Sequence, residues 1–67
     1  MEISARNQIR GRITAIKHGA VMAEVVIEIE TQEITSTITI GSLERLNLKV
    51  GDRVSAIFKA SDVLIGK

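Results

Sequence analysis

Eight residues in three separated stretches carry groups that could bind a small oxyanion. They are Ser4, Arg6 and Asn7, then Thr39 and Ser42, and finally Lys59, Ala60 and Ser61. An oxyanion site needs hydroxyl and backbone N–H donors that converge on one point, with one or two cations whose charge is not cancelled nearby. Spacing alone leaves a simpler interpretation for each stretch, such as Ser42 as a helix cap, Lys59 as a strand-end cation and Ser4 as part of a frayed terminus.

Residues suited to catalysis or to metal binding are scarce. The chain has no Cys and a single imidazole, His18, which stands beside Gly19 in a predicted turn. Nucleophilic catalysis needs a nucleophile, a base and an orienting group, so His18 is best interpreted as a solvated turn residue. Glu24, Glu28 and Glu30 share one predicted strand face, and a solvated surface explains them better than an acid/base pair. We therefore expect neither an enzyme nor a site of direct metal-cation ligands.

Single-stranded nucleic acid is the alternative ligand class, because small barrels often bind it by stacking bases on aromatic side chains above a basic groove. Phe58 is the only aromatic residue, and it falls on the inward parity of its predicted strand. Arg10 and Arg12 are the only closely spaced arginines, and the net charge of +1 provides no field that would hold a polyanion or an acidic membrane. We expect neither a nucleic-acid nor a membrane partner.

The length of 67 residues makes a lone folded monomer marginal. A chain of this size buries only about 60% of the surface that its unfolded form exposes. Disulfides cannot supplement the core without Cys, so oligomerisation is the remaining common solution.

The first residues show no secretory signal, and no apolar run approaches the ~20 residues that span a bilayer. The sequence predicts a cytoplasmic protein that associates with itself.

Alternating apolar residues predict a chain composed mostly of strands. The predicted strands span residues 8–17, 20–30, 34–40, 53–60 and 62–67. In the first strand, Ile9 and Ile13 share one face and Ile16 lies on the other. In the last strand, Val63 and Ile65 are expected to point inward.

A short helix is predicted between the third and fourth strands. Leu43, Leu46 and Leu48 approximate helical spacing over residues 43–48, and Ser42 is suited to cap the N-terminus. Five strands with a helix at this position predict an all-β protein, a small five-stranded OB-like Greek-key barrel. An SH3-like barrel would use similar strands but does not call for the helix.

The sequence as a whole resembles the molbindins, the small molybdate-binding proteins called Mop. The most specific shared elements are Ser4-Ala5-Arg6-Asn7-Gln8, Ile38-Thr39 with Ser42, and Phe58-Lys59-Ala60. The resemblance covers essentially the whole chain, so residues 1–67 are expected to form a single Mop domain. It also implies an OB-like barrel that binds molybdate or tungstate without an organic cofactor.

The resemblance implies an assembly and a division of the site. The family suggests a homohexamer, a trimer of dimers, that stores oxyanions at subunit interfaces. By motif position, Ser4, Arg6, Lys59, Ala60 and Ser61 would form one subunit's share of a site, and Thr39 and Ser42 would reach in from a neighbour. Asn7 would orient the loop or contact the ligand. The hairpin at Gly19 and Ala20 is a candidate for a second class of site, near a threefold axis.

Overall fold

The computed structural model describes residues 7–67, which form four strands, one short α-helix and one 3₁₀ helix. The elements are β1 (Asn7–His18), β2 (Met22–Ile29), β3 (Gln32–Thr39), α1 (Ile40–Arg45), β4 (Arg53–Phe58) and the 3₁₀ helix Ala60–Asp62. The strands form one curled antiparallel sheet in the order β3-β2-β1-β4. The predicted OB-like class, with a short helix between the third and fourth strands, is confirmed.

The long strand β1 belongs to two ladders. Its first half, Asn7 to Arg12, pairs with β4, and its second half, Arg12 to His18, pairs with β2. The register to β2 shifts between Ile13 and Ala15. A bulge of this kind inserts an extra residue and increases the local bend and twist of the strand. It lets β1 curl from one partner strand to the other.

The bulge corrects the predicted faces of β1. Simple alternation placed Ile16 on the face opposite Ile13, but in the structure Ile16 lies across from Val25 and packs against the buried core. The prediction was wrong because Thr14 is the extra residue, and one extra residue reverses the parity of every side chain that follows.

The core is small and draws on β1, β2, β4 and the helix. Its buried members are Ile13, Ala23, Val25, Ile27, Leu43 and Ala56. Leu43 is the buried residue of α1, and Leu48 packs at the margin of the core, whereas Leu46 is exposed. Of the three leucines that predicted the helix, Leu43 anchors it to the sheet. Among residues 7–67, no helix has the length and apolar character needed to cross a bilayer.

Two predicted element boundaries are corrected at the helix and at β4. The helix begins at Ile40 rather than Leu43 and ends at Arg45, and Thr39 rather than Ser42 is its N-cap. Thr39 takes the cap because its backbone is extended and its hydroxyl accepts the Ser42 N–H. Strand β4 ends at Phe58, since Lys59 already caps the 3₁₀ helix.

The predicted fifth strand is wrong for the described chain. Residues 62–67 contain the end of the 3₁₀ helix and then no regular element, and Ile65 is 91% exposed instead of pointing inward. Val63 is also 44% exposed. The segment alternates as a strand should, but it pairs with neither β3 nor β4, which are the two edges of the sheet.

Candidate functional site

The first group of predicted donors lies where β3 turns into α1. The Ser42 backbone N–H donates to Thr39 Oγ1 at 3.0 Å, and the Thr39 hydroxyl donates to Ser42 Oγ at 2.9 Å. A third residue, Arg45, donates from Nη2 to the same Ser42 Oγ at 3.3 Å. The prediction that Thr39 and Ser42 act together is consistent with this geometry, which places their hydroxyls in direct contact.

The hydrogen bonds that Ser42 Oγ already accepts determine whether its hydroxyl can act as a donor or an acceptor toward a ligand. A hydroxyl has one proton and two acceptor positions. Both acceptor positions of Ser42 Oγ are taken, by Thr39 and by Arg45. The remaining capacity of Ser42 is to donate its proton, which is what an oxyanion requires of a hydroxyl.

Arg45 is the residue of this group that sequence reasoning missed. It stands three positions after Ser42 in α1, and residues three apart on a helix are neighbours on its surface. That spacing was visible in the sequence. Its guanidinium places a positive charge beside the hydroxyl of the half-buried Ser42 at the end of the sheet.

The second group of predicted donors lies where β4 ends. Lys59 caps the 3₁₀ helix Ala60–Asp62, and its carbonyl accepts the Asp62 N–H at 2.9 Å. The first N–H groups of a helix have no partner within it, and those of Ala60 and Ser61 occupy this position. Lys59, Ala60 and Ser61 are all exposed. The turn therefore presents one ammonium group and two backbone donors to solvent.

Asn7 joins the second group through the sheet. It lies opposite Phe58 in the ladder between β1 and β4. Lys59 directly follows Phe58 in the chain. Asn7 is half-buried. Ser4 and Arg6, which were predicted to share this site, lie outside the described residues.

Gly19 and Ala20 lie at the end of the sheet that carries the first group. Gly19 donates its N–H to the Met22 carbonyl at 2.8 Å, and Met22 lies opposite Thr39 in the ladder between β2 and β3. The Ile40 N–H donates to the Val21 carbonyl at 2.8 Å, which ties the start of α1 to the same hairpin. The hairpin and the helix start thus form one surface.

The two groups of donors lie at opposite ends of β1. The Lys59 group adjoins Asn7, where β1 begins, and the Thr39 group adjoins the hairpin that follows His18, where β1 ends. Eleven residue steps separate these ends, a contour of roughly 36 Å at the usual rise per strand residue. The chain does not bring its own two groups together.

The charged residues elsewhere on the sheet have ordinary surroundings. On the outer face, Glu24 lies opposite Lys17 and Glu28 lies opposite Arg12. Within residues 7–67 there is no cluster of three or more His, Asp or Glu side chains placed to hold a metal ion. The site that the geometry supports is one of hydrogen-bond donors and cations.

Replacement of Thr39 by alanine is expected to lower the free energy of unfolding by about 1 kcal/mol, the usual cost of losing a hydroxyl N-cap. The hydroxyl of Thr39 both caps Ser42 N–H and contacts Ser42 Oγ, so the variant also frees the Ser42 side chain. Urea denaturation followed by circular dichroism at a fixed protein concentration measures the loss. Thr39→Ser is the matched control and should retain most of the stability. An equal loss in both variants would show that the methyl group, not the hydroxyl, is what matters.

Comparison with known proteins places the chain in a family. The TOBE domain model matches residues 3–65. The chain is 47% identical to molybdenum-pterin-binding protein 3 of Clostridium pasteurianum, over 97% of each chain. A molybdate-binding protein from Sporomusa ovata superimposes with a TM-score of 0.95 at 37% identity over the whole of both chains.

A third comparison is with ModG, a cytoplasmic molybdate-binding protein that has been solved with molybdate bound. It matches with a TM-score of 0.88 at 42% identity, over 96% of this chain and 46% of its own. These relatives are named as binding proteins and not as enzymes, in agreement with the expectation of a non-enzymatic protein. The chain belongs to the TOBE domain family, and its resemblance to the molbindins is confirmed.

Proposed function

We propose that this protein binds molybdate or tungstate at sites shared between neighbouring copies of the chain and holds the oxyanion as an intracellular store. The observation that carries the proposal is the placement of two donor groups at opposite ends of β1. Thr39, Lys59, Ala60 and Ser61 are exposed and Ser42 is half-buried. Neither group alone has enough donors to surround a tetrahedral dianion. The names of the relatives, which refer to molybdenum or molybdate, support the choice of ligand.

Each half of the proposed site contributes a different kind of donor. Lys59 supplies a full positive charge, and Ala60 and Ser61 supply backbone N–H groups. Ser4, Arg6 and Asn7 of the same chain complete this half. Across the interface, the Ser42 hydroxyl donates its proton to the oxyanion, and Thr39 holds the Ser42 hydroxyl in position. Arg45 adds a second cation, which helps to offset the dianion's charge.

The proposed assembly is a homohexamer, a trimer of dimers, in which residues 1–67 of each copy act as one Mop domain. The small buried core supports self-association, because only six of the residues 7–67 are buried. Binding that occurs only between copies also stabilises the assembly by mass action.

A cytoplasmic location is supported by the description of ModG. Gly19 and Ala20 remain a candidate second class of site, at the hairpin.

The ligand is proposed to be the free oxyanion, without an organic cofactor. The clostridial relative is named for a molybdenum pterin, so the two ligand forms must be compared directly. The donors assigned here are hydroxyl, N–H and ammonium groups, which match the oxygens of a bare tetrahedral anion. Molybdate and tungstate present the same charge and shape to such donors.

Isothermal titration at neutral pH is expected to show molybdate and tungstate binding at least about 100-fold more tightly than phosphate, a difference of about 2.7 kcal/mol. Phosphate at this pH carries a proton, and the resulting O–H group would face other donors in the site. Molybdate at this pH carries no proton, so all its oxygens can accept. Sulfate is the matched unprotonated anion of smaller size. Equal affinities for molybdate and phosphate would overturn the proposal, as would binding of a molybdenum pterin alone. Salt-dependent binding of single-stranded oligonucleotides with no molybdate heat would support the alternative of a nucleic-acid-binding module.

A further inference from the structure

The charged side chains of the four strands are divided by sign across the sheet. Among the Lys, Arg, Asp and Glu residues of these strands, those of β2 and β3 are all acidic and those of β1 and β4 are all basic. All of them are exposed, and they are Glu24, Glu28 and Glu33 on the acidic side and Arg10, Arg12, Lys17 and Arg53 on the basic side. The outer face of the sheet, opposite the core, therefore has an acidic half and a basic half.

One row of charges crosses all four strands in register. Glu33 of β3 lies opposite Glu28 of β2, Glu28 lies opposite Arg12 of β1, and Arg12 lies opposite Arg53 of β4. Like charges directly opposite each other on neighbouring strands are destabilising. The row therefore has one favourable pair at its centre and an unfavourable pair at each end.

The bulge at Thr14 adds Lys17 to the basic half. Lys17 follows Arg12 by five positions, so an unbroken strand would direct their side chains to opposite faces. Because Thr14 is an extra residue, Lys17 instead lies opposite Glu24 on the outer face. This second row has the same polarity as the first, with the acid on β2 and the base on β1.

We propose that the outer face of this sheet stacks on the outer face of a second copy of the chain, about a twofold axis that runs along the strands between β1 and β2. The rotation sets β1 of one copy over β2 of the other and β4 over β3. Val26 and Ala15, which lie opposite each other between the two charged rows and are half-buried, form the centre of the contact. A twofold contact needs a surface that is complementary to itself.

Charge complementarity identifies a second copy as the occupant of this face. In the stacked pair, each row lies over the same row of the other copy in reverse order. Arg53 then faces Glu33 of the second copy, Arg12 faces its Glu28, and the Lys17–Glu24 row matches in the same way. A polyanion would match only the basic half of the face and a polycation only the acidic half, whereas a second copy matches both.

The contact is expected to be weak and sensitive to salt, because exposed ion pairs are individually weak and are screened by ions. Two curled sheets diverge away from the axis, and the long side chains of Arg53 and Glu33 lie where the gap is widest. The inference goes beyond the proposed function, since the two charged rows contain none of the donor residues and the contact requires no oxyanion.

Paired charge reversals test the contact. Arg53→Glu and Glu33→Arg, carrying different tags, are studied alone and as an equimolar mixture by sedimentation velocity at about 0.01 M salt, where the screening length is about 30 Å. Each variant alone places like charges over each other, so it should associate at least about 10-fold more weakly than the parent chain. The mixture should recover the parent's association, because each reversed residue then lies over the reversed residue of the other chain, with opposite charge.

The same reversals separate stacking from a role within the sheet. Inside one chain, each reversal replaces a like-charge pair by an opposite-charge pair, with Arg12 or with Glu28. Both variants should therefore unfold at a urea concentration no lower than the parent's while associating more weakly. Unchanged association in both variants would overturn the proposal.

Lys49→Glu and Glu44→Arg form the control pair. They give the same net charges as the test variants, and both positions are exposed and lie outside the sheet, in the turn after α1 and in α1 itself. Each control should associate like the parent, and their mixture should gain nothing. If the control mixture associates as strongly as the test mixture, net charge alone is responsible and the proposal is wrong.

Salt and nuclease treatment complete the test. At about 1 M salt, where the screening length is about 3 Å, the association through this face should be lost. Association of the parent that is independent of salt, or that disappears after nuclease treatment, would contradict stacking between copies. Molybdate affinity should equal the parent's in the Arg53 and Glu33 variants, so failed stacking with normal binding leaves the proposed function standing.

Discussion

Replacement of Lys59 by alanine is expected to weaken molybdate binding about 10- to 150-fold, with little change in stability. A hydrogen bond to a charged group contributes about 1.5–3 kcal/mol, which corresponds to that range of affinity. Lys59 is exposed, and its carbonyl rather than its side chain holds the 3₁₀ helix. The unfolding free energy should therefore stay within about 0.5 kcal/mol of the parent value. Calorimetric titration and urea denaturation measure the two quantities.

Lys49 provides the matched control for this experiment. It is also exposed, but it stands in the turn between α1 and β4, four residues after Arg45, and belongs to neither donor group. Its backbone N–H donates to the Asp52 carboxylate at 3.0 Å. Lys49→Ala removes the same charge and should leave molybdate affinity nearly unchanged. If both variants weaken binding equally, the effect is one of net charge and Lys59 is not a ligand. Unchanged affinity in Lys59→Ala would show that Lys59 is only a strand-end residue.

Substitution of Gly11 by alanine is expected to cost about 2–3 kcal/mol of unfolding free energy, the upper part of the usual range for overpacking. A Cβ at this position would lie 2.6 Å from Ile27 Cγ2, 2.7 Å from the Glu28 carbonyl oxygen and 2.9 Å from Ile29 Cγ1. The carbonyl belongs to the backbone of β2 and cannot rotate away. Gly11 stands next to Arg12, where β1 changes partners, so the two strands approach closely there.

Gly41 is the control for Gly11. A Cβ added at Gly41 would have Thr39 Oγ1 as its nearest neighbour, at 4.0 Å. Gly41 lies in the first turn of α1. Gly41→Ala should be neutral or stabilising by up to about 1 kcal/mol, because Ala has the higher helix propensity. Both variants are compared by denaturation at one protein concentration, since an oligomer's stability depends on it. A loss below about 0.5 kcal/mol in Gly11→Ala would mean that β1 and β2 separate at low cost.

The sequence predicted the regular part of the fold and missed its irregular points. Alternation along β2 correctly predicted a solvated face with Glu24 and Glu28, and the residues between them on the other face, Ala23, Val25 and Ile27, are buried. It failed at Ile16, since the bulge at Thr14 has no marker in the pattern of apolar residues. Ser42 was chosen as the helix cap where Thr39 holds that place; both are hydroxyl residues, and only the backbone distinguishes them.

Motif position was enough to propose the members of the candidate site, but it did not indicate their geometry. The pairing of Thr39 with Ser42 is a local matter of three residues, and motif position was enough to propose it. That the Lys59 group lies at the other end of β1 depends on the registers of β1 with β2 and β4, which the sequence does not specify. Alternation also predicted a strand over residues 62–67, which the described chain does not form.

The location of the two donor groups at opposite ends of β1 has a consequence for stoichiometry. In the proposed arrangement of shared sites, every copy contributes one group of each kind, and it contributes them to two different sites. In a closed ring the number of complete shared sites therefore equals the number of chains, whatever that number is. Saturation at one oxyanion per chain would account for the shared sites alone. Any further equivalent would have to occupy a different place, and the hairpin at Gly19 and Ala20 is the first to examine.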